Sequence, residues 1–234
     1  MSLLLNIDAG EHEPGWAGDL AFLEVVDAVN LALGGHAGDP GWTRELAAEA
    51  EFRGVRVHLH PSYPDRENFG RYIIQMDWRD LSASLTEQRS VLPDCTVCKP
   101  HGALYNEAAR DPELAARLSD WCLWQGIDEV LCSPGSAFAQ AASSAGLRVL
   151  REGFADRAYV RDRDGSVVLA PRSQTGAVLD SVEAALVQAY HISTEGKVAL
   201  LSGGEAELQC DTICLHGDAV SALELATRLR ELLG

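Results

Sequence analysis

The chain has 234 residues, of which 47% are hydrophobic, and its 19 basic residues stand against 35 acidic ones to give a formal net charge of −16. This length allows one large domain or two small ones, and the acidic charge excludes nucleic acid and anionic membrane as favoured partners. No apolar run reaches the roughly 18 residues of a membrane span, and residues 1–5 are too short for a signal peptide.

In chain order, strand-like and helix-like patterns alternate. The first half predicts strands at about 3–8, 28–34, 55–60 and 97–101, with helices at about 39–52 and 80–92. The second half predicts helices at about 111–125, 136–145, 180–192 and 221–233, strands at 129–132, 147–154 and 212–216, and an excursion at 159–170. Asp39-Pro40 and Asp111-Pro112 are strong helix starts, because aspartate caps the first turn and proline fits its first position. This alternation without a linker predicts one α/β domain over residues 1–234 with a parallel sheet.

The predicted strands have one apolar face and one polar face. The apolar positions are Leu3, Leu5, Ile7, Val29, Leu31, Leu33, Val55, Val57, Leu59, Ile213 and Leu215. The polar positions are Asn6, Asp8, Asn30, His58, His60, Lys99, His101, Thr212 and His216. An open doubly wound sheet, the alternative, would need apolar side chains on both faces of its central strands. A closed barrel explains the pattern better, because its outer face packs under helices and its inner face becomes polar towards the mouth.

The six cysteines are interpreted as reduced and mostly buried. Cys95 and Cys98 form a CxxC motif, but the second cysteine pair of a zinc ribbon is missing. Cys132, Cys210 and Cys214 lie in or beside apolar segments, as free core cysteines do. We therefore expect a cytoplasmic protein, with metal binding or disulfide formation as the alternative.

Polar residues end or follow several predicted strands. They are the histidines His36, His60, His101 and His216, the acids Asp8 and Asp156, and just beyond them Glu11 and Asp218. Since the carboxyl ends of barrel strands meet at one rim, we expect these side chains to converge. A lone strand-end histidine is usually a structural hydrogen-bonding residue, but four at one level indicate a joint function, because each needs a partner when buried.

Two chemistries fit this set. In the first, a carboxylate such as Asp8 accepts a proton from water, while a histidine or Lys99 stabilises the oxyanion or protonates a leaving nitrogen. In the second, histidines and a carboxylate bind a divalent metal. The candidate metal ligands are Asp8, His36, His60, His101 and His216. His58 and His60 form an HxH pair that is equally compatible with ligation and with packing.

Other candidates concern substrate and nucleotide. Arg157 and Arg172 are suited to hold an anionic group by bidentate contact, with exposed salt bridges as the alternative. Tyr105 and Asn106 are interpreted as facing the substrate, with helix capping as the alternative. The chain has no GxxxxGK[ST] motif, and the pair at 203–204 lacks the lysine of a phosphate loop. Any ATP chemistry would therefore use another kind of site or a partner's site.

Several motifs in sequence order then point to a known family. They are NIDAGE at 6–11, NLALGGHAGDP at 30–40, HPSYPD at 60–65 with FGR at 69–71, KPHGALYN at 99–106, FADRAY at 154–159, an arginine-containing segment at 169–178, and DTICLHGD at 211–218. In these segments, which extend over nearly the whole chain, the sequence resembles the LamB/YcsF family, the A subunits of bacterial ATP-dependent 5-oxoprolinase.

The resemblance implies a fold and a reaction. The fold is an irregular TIM-like (β/α) barrel, described with seven strands and related to the glycoside hydrolase/deacetylase group. The reaction converts 5-oxo-L-proline, ATP and water to L-glutamate, ADP and phosphate, together with B and C partner subunits.

On this basis we predict the site residues. Asp8 and His101 are expected to transfer protons, Lys99 to stabilise charge, and His60 to orient substrate or water at the catalytic centre. Substrate contacts are expected from Asn6, Glu11, Asn30, His36, Tyr105, Asn106, Asp156, Arg157, Arg172, His216 and Asp218. Two other functions stay open: a stand-alone metal-dependent amidohydrolase or deacetylase, and a non-catalytic component that delivers a small lactam to partner subunits.

Overall fold

The computed structural model describes residues 3–163, 165–179, 181–217 and 221–234. Its strands, in chain order, are β1 (Leu4–Ala9), β2 (Ala28–Ala32), β3 (Arg56–His60), β4 (Val97–Cys98), β5 (Glu129–Cys132), β6 (Arg148–Phe154), β7 (Tyr159–Arg161), β8 (Val167–Leu169), β9 (Lys197–Ala199), β10 (Glu205–Glu207) and β11 (Thr212–His216). Its helices are α1 (Ala17–Phe22), α2 (Pro40–Phe52), α3 (Trp78–Arg89), α4 (Gly102–Ala108), α5 (Pro112–Trp124), α6 (Ala137–Ala145), α7 (Val182–Glu195) and α8 (Ala222–Leu233).

Within the described residues, seven parallel strands close into a barrel in the order β1-β11-β6-β5-β4-β3-β2. Barrel strands that follow one another along the chain are neighbours in the barrel, and β11 closes it against β1. The β7–β8 and β9–β10 pairs form separate antiparallel hairpins between β6 and β11. The predicted seven-stranded TIM-like barrel is thus confirmed, and the open-sheet alternative is wrong.

The alternation along the strands separates the core from the barrel interior. Leu5 and Ile7 of β1 and Val29 and Leu31 of β2 are fully buried in one apolar cluster. The same cluster contains residues of α2, α7 and α8, so the outer face of the strands packs under the helices. The helices begin as expected at their caps: the Asp39 carboxylate accepts hydrogen bonds from two backbone amides of the first turn of α2.

The interior of the barrel near β1 holds a chain of buried polar contacts. Asn6 Nδ2 donates to Thr212 Oγ1 at 2.8 Å, and Asn30 Nδ2 lies 2.7 Å from Asn6 Oδ1 and 2.8 Å from Asp8 Oδ1. His58 Nδ1 lies 2.9 Å from Asn30 Oδ1. These contacts compensate for the burial of polar groups and fix the orientation of the Asp8 carboxylate from below.

His58 makes the barrel interior sensitive to acid. Burial, followed by the charge of Arg56, lowers the pKa of His58 to about 3, against about 6.5 in an unfolded chain. The unfolded chain therefore binds this proton first, and the free energy of unfolding falls as the pH decreases below about 6.5, by about 2 kcal/mol at pH 5. We expect His58→Gln to remove this loss between neutral pH and pH 5 in denaturant titrations. An unchanged pH dependence would contradict the burial argument.

Some predicted boundaries differ from the structure. β4 ends at Cys98 instead of extending to His101, because Pro100 has no amide hydrogen to continue the ladder. The short helix α1 (Ala17–Phe22) was not predicted. The predicted excursion at 159–170 is the β7–β8 hairpin, and the β9–β10 hairpin was not predicted. No helix within the described ranges is long and apolar enough to cross a membrane.

Candidate active site

A cavity of about 940 Å³ lies where the barrel strands end. Nine of the residues predicted for the site line it, namely Asp8, His60, Lys99, His101, Tyr105, Asn106, Arg157, Arg172 and His216. Phe69 and Arg71 from the loop after β3, and Phe154 at the end of β6, complete this part of the wall. The carboxyl ends of the strands therefore bring together most of the predicted side chains, as the barrel topology requires.

Lys99 is a buried cation at the centre of the site. Its Nζ lies 2.8 Å from Asp8 Oδ1, 3.0 Å from Glu152 Oε1 and 2.9 Å from Cys214 Sγ. Burial lowers the pKa of Lys99, but Asp8, Cys214 and Glu152 outweigh it and hold the pKa well above its usual value. Lys99 is therefore an ammonium ion that donates hydrogen bonds to Asp8 and Cys214 and forms an ion pair with Glu152, so that it balances two buried carboxylates.

Asp8 is held in its ionised form. Burial raises the pKa of Asp8, but His60 and Lys99 outweigh burial and hold the pKa well below its usual range. Its Oδ1 accepts hydrogen bonds from Lys99 and Asn30, while its Oδ2 lies 3.4 Å from His60 Nε2. A carboxylate stabilised to this degree is a weak proton acceptor and a strong electrostatic partner for a cation.

Glu11, His36, His60 and His101 form a cluster, the Glu11/His cluster, at the ends of β1, β2, β3 and β4. The rings of His36 and His101 are stacked with centroids 3.6 Å apart, and both stand edge-on to His60. Burial lowers the pKa of His36 and of His101 well below the usual histidine value, so both are neutral at neutral pH. Neutral imidazoles next to a carboxylate suit either hydrogen bonding or metal ligation.

His216 and Asp156 form a second ionisable pair on the cavity wall. His216 Nδ1 lies 2.9 Å and 3.1 Å from the two Asp156 oxygens, and the His216 backbone amide donates to the same carboxylate at 3.1 Å. Burial raises the pKa of Asp156, but its contacts with His216 outweigh burial and lower it. The carboxylate fixes Nδ1 as the protonated nitrogen, which leaves Nε2 as a proton acceptor for a group in the cavity.

Arg157 is a buried arginine with a fixed orientation. Its Nε donates to the Ala177 carbonyl at 3.1 Å and its Nη2 to the Ala170 carbonyl at 2.7 Å. Burial, and then repulsion from Arg172, lower the pKa of Arg157 to about 10, so it is still charged at neutral pH. A positively charged, positioned guanidinium in the cavity is suited to a carboxylate.

The loop after β3 closes over the histidines through Phe69 and Gly70. Phe69 is the one residue other than glycine with positive φ, at 56°, among the described residues, and its carbonyl lies 3.0 Å from His101 Nε2. The Phe69 ring packs 5.3 Å from the His36 ring and 5.5 Å from the His101 ring. The strained backbone at Phe69 therefore brings a carbonyl and an aromatic ring onto the cluster.

Gly70 is required for this close approach. Its φ is 62°, and an added Cβ would lie 2.8 Å from His36 Cβ and 3.1 Å from His101 Cδ2. We expect Gly70→Ala to lower the free energy of unfolding by about 2–4 kcal/mol, since backbone strain and a steric clash combine. The matched control is Gly126→Ala, where φ is 73° but nothing lies within 4 Å of an added Cβ. If denaturant titrations showed the same loss in free energy of unfolding for Gly70→Ala and Gly126→Ala, the steric clash at Gly70 would be relieved without cost.

The profile of the LamB/YcsF family matches residues 3–234. The chain belongs to the LamB/YcsF family. The match includes every barrel strand and every described side chain of the site, so the family assignment applies to fold and site together.

Relatives of known name agree with this assignment. The A subunit of 5-oxoprolinase from Nocardia farcinica (strain IFM 10152) is 39% identical over 244 residues, which cover 100% of this chain and 96% of that protein. The A subunit of 5-oxoprolinase from Neisseria meningitidis serogroup C (strain 053442) is 36% identical, over 97% of this chain and 94% of that protein. The crystal structure of the lactam utilization protein from Thermus thermophilus superimposes with a TM-score of 0.85 at 35% identity, covering 100% of this chain and 96% of that one.

Some predicted site residues of this LamB/YcsF chain lie behind the cavity wall. Asn6 and Asn30 are a layer deeper, where they support Asp8. Glu11 and His36 belong to the Glu11/His cluster, and Asp156 contacts His216, but none of these is among the residues that line the cavity. Asp218 lies outside the described residues.

Three features of the LamB/YcsF site were missed in the sequence. Glu152 is fully buried beside Lys99, and its position two residues before Phe154 on β6 was the available signal. Cys214 contacts Lys99, although the sequence indicated only a buried thiol. The role of Phe69 depends on its backbone conformation, for which the sequence carries no signal except the adjacent glycine.

Proposed function

We propose that this chain is the A subunit of an ATP-dependent 5-oxoprolinase, which hydrolyses the lactam of 5-oxo-L-proline to L-glutamate together with B and C partner subunits. Two relatives at 36–39% identity over nearly the full length are named as the A subunit of 5-oxoprolinase. A structural relative at 35% identity is named a lactam utilization protein. The free cysteines fit a reducing compartment, so we place the complex in the cytoplasm.

The observation that carries the proposal is the set of side chains that line one cavity. It is lined by an arginine of fixed orientation, Arg157, and by a histidine held by a carboxylate, His216. 5-Oxoproline carries a carboxylate and a lactam, and these are the groups that a guanidinium and a proton-transferring histidine recognise. Arg172 also lines the cavity and adds positive charge near the substrate carboxylate.

The proposed reaction follows from these positions. Water adds to the lactam carbonyl carbon while His216 Nε2 accepts its proton, and Asp156 stabilises the imidazolium. The proton then passes to the ring nitrogen as the C–N bond breaks, which yields the new carboxylate and the amino group of glutamate. We favour His216 over Asp8 as the proton acceptor, because His60 and Lys99 hold the pKa of Asp8 so low that its carboxylate is a weak proton acceptor.

ATP enters this proposal through the partner subunits. Opening an unstrained lactam is unfavourable enough for coupling to ATP cleavage to be useful, yet the sequence has no phosphate-loop motif. We therefore assign the nucleotide site to the complex with the B and C subunits. Proton transfer by His101, charge stabilisation by Lys99 and orientation of substrate or water by His60 stay predictions, whereas this proposal gives the proton transfer predicted for Asp8 to His216.

The carboxylate subsite gives a test with a matched control. We expect Arg157→Met to raise the KM for 5-oxoproline by about 10–100-fold, since a hydrogen bond to a charged group contributes about 1.5–3 kcal/mol. The control is Arg161→Met, because Arg161 lies on β7 and donates to the Gly165 carbonyl at the surface. Thermal unfolding checks that Arg157→Met still folds. An unchanged KM in both Arg157→Met and Arg172→Met would contradict the subsite.

A further inference from the structure

We propose that the Glu11/His cluster is a binding site for one divalent transition-metal ion in the wall of the active-site cavity. The proposal is independent of which cyclic amide the chain hydrolyses, since it concerns four side chains and can be tested without substrate or partners. One ligand atom from each of Glu11, His36, His60 and His101 lies within 4.8 Å of the other three.

The distances inside the cluster fit ligands of a common ion. His36 Nε2 lies 3.1 Å from Glu11 Oε1, His101 Nδ1 lies 3.6 Å from the same oxygen, and His101 Nδ1 lies 2.9 Å from His60 Nε2. Ligands bound at about 2.0–2.2 Å in tetrahedral or octahedral geometry are separated by about 3–4 Å. The His36 and His101 rings are parallel, so they would rotate about their side-chain bonds for the in-plane lone pairs of all three histidines, with the Glu11 oxygen, to reach one ion.

The hydrogen bonds of two histidines assign their tautomers. His60 Nδ1 lies 2.8 Å from the Lys99 carbonyl, and His101 Nε2 lies 3.0 Å from the Phe69 carbonyl. A carbonyl oxygen only accepts, so each of these nitrogens carries the hydrogen. The remaining nitrogens, His60 Nε2 and His101 Nδ1, then direct two lone pairs at each other across 2.9 Å. A positive species between or beside them would remove this repulsion, either a metal ion or a proton added to His60 Nε2, which also lies 3.4 Å from Asp8 Oδ2.

The same two hydrogen bonds are the outer contacts typical of metal sites. Metal-ligating histidines donate their other N–H to a carbonyl or carboxylate, which orients the ring and raises its basicity. The Phe69 carbonyl reaches His101 through the positive-φ backbone described above. Strain of this kind is retained where a fixed geometry is needed, and here it fixes a ligand nitrogen towards Glu11 and His60.

The ligand set selects the class of ion. Three imidazoles and one carboxylate favour Zn²⁺, Co²⁺ and similar first-row ions over Mg²⁺ and Ca²⁺, which prefer oxygen ligands. His60 and His101 line the cavity, whereas Glu11 and His36 lie behind them. A bound ion would therefore be reached from the cavity side, next to the Asp8 carboxylate, where it could polarise a substrate carbonyl.

The test uses the full chain, Co²⁺ and Zn²⁺. After treatment with EDTA and gel filtration, Co²⁺ titration should produce visible d–d bands that saturate at about one ion per chain, and Zn²⁺ should displace them. We expect Glu11→Gln and His36→Gln each to weaken Co²⁺ binding by about 100-fold or more. His216→Gln, a cavity histidine outside the cluster, should leave Co²⁺ binding within about twofold of the parent. Circular dichroism checks the fold of each variant.

Two results would overturn the proposal. One is the absence of saturable Co²⁺ and Zn²⁺ binding at micromolar concentrations in the folded parent chain, which would assign the positive species between His60 and His101 to a proton. The other is binding that survives in both Glu11→Gln and His36→Gln, which would place the ion elsewhere. Neither result depends on turnover of 5-oxoproline, so failure of this proposal and failure of the proposed function can be told apart.

Discussion

Asp156→Asn is expected to lower kcat for lactam hydrolysis by about three to four orders of magnitude, while KM changes little. The carboxylate accepts hydrogen bonds from the His216 backbone amide and from its Nδ1. An asparagine keeps the size of the side chain but can present its NH₂ group to Nδ1. The imidazole would then hold its hydrogen on Nε2, which could no longer accept a proton from water.

A loss in kcat with little change in KM or in the free energy of unfolding separates a positioning role of Asp156 from a structural one. We expect the free energy of unfolding of Asp156→Asn to fall by at most about 2 kcal/mol, since one charge-assisted contact becomes neutral. Asp162→Asn is the matched control, because Asp162 is a surface aspartate that contacts Arg110 at 3.5 Å. The measurement is glutamate release by the complete complex under saturating substrate. Activity of Asp156→Asn near that of the parent would remove His216 from proton transfer.

Lys99→Met is expected to cause the largest loss of stability, about 3–5 kcal/mol. The Lys99 side chain is 2% exposed, and its removal leaves the Asp8 and Glu152 carboxylates, 4% and 0% exposed, without their shared cation. Two like charges would then remain buried near each other. Without Lys99 the pKa of Asp8 would rise and Asp8 would tend to bind a proton, so the loss should become smaller as the pH is lowered.

A second set of variants tests the cause of this loss. Lys197 is the other lysine of the chain, and its contact with Glu205 at 3.6 Å is half-exposed. Lys197→Met should therefore change the free energy of unfolding by no more than about 0.5–1 kcal/mol. Adding Asp8→Asn and Glu152→Gln to Lys99→Met should restore part of the lost stability, because no unpaired charge remains. Failure of this restoration in urea titrations would indicate that packing, not charge, explains the loss.

The sequence was sufficient to predict the barrel and the level at which its polar side chains meet. Period-two alternation in β1 and β2 separated outward leucines from inward Asn6, Asp8 and Asn30, and only a closed sheet explains a polar inner face. Helix starts at Asp39-Pro40 and Asp111-Pro112 depend on local capping chemistry, which lies within a few residues of sequence. These features were predictable because their causes are local.

The pairings within the site were not predictable, because they depend on contacts between distant strands. Lys99 follows β4, whereas Glu152 and Cys214 lie on β6 and β11, so their contact depends on barrel closure and shear. The stacking of His36 on His101 depends on a loop whose backbone at Phe69 adopts an uncommon conformation. The sequence thus predicts which residues gather at the rim, while which of them pair with one another depends on the three-dimensional fold.

The most direct test of the proposed function is glutamate release from 5-oxo-L-proline. The chain would be assayed alone and mixed with the B and C subunits from the same source, with and without ATP, and with Asp156→Asn in place of the parent. We predict glutamate only when the parent chain, both partners and ATP are present. Two results would contradict the proposed function. One is glutamate release at the same rate when the chain is omitted or replaced by Asp156→Asn. The other is no glutamate release from a folded chain mixed with active partners.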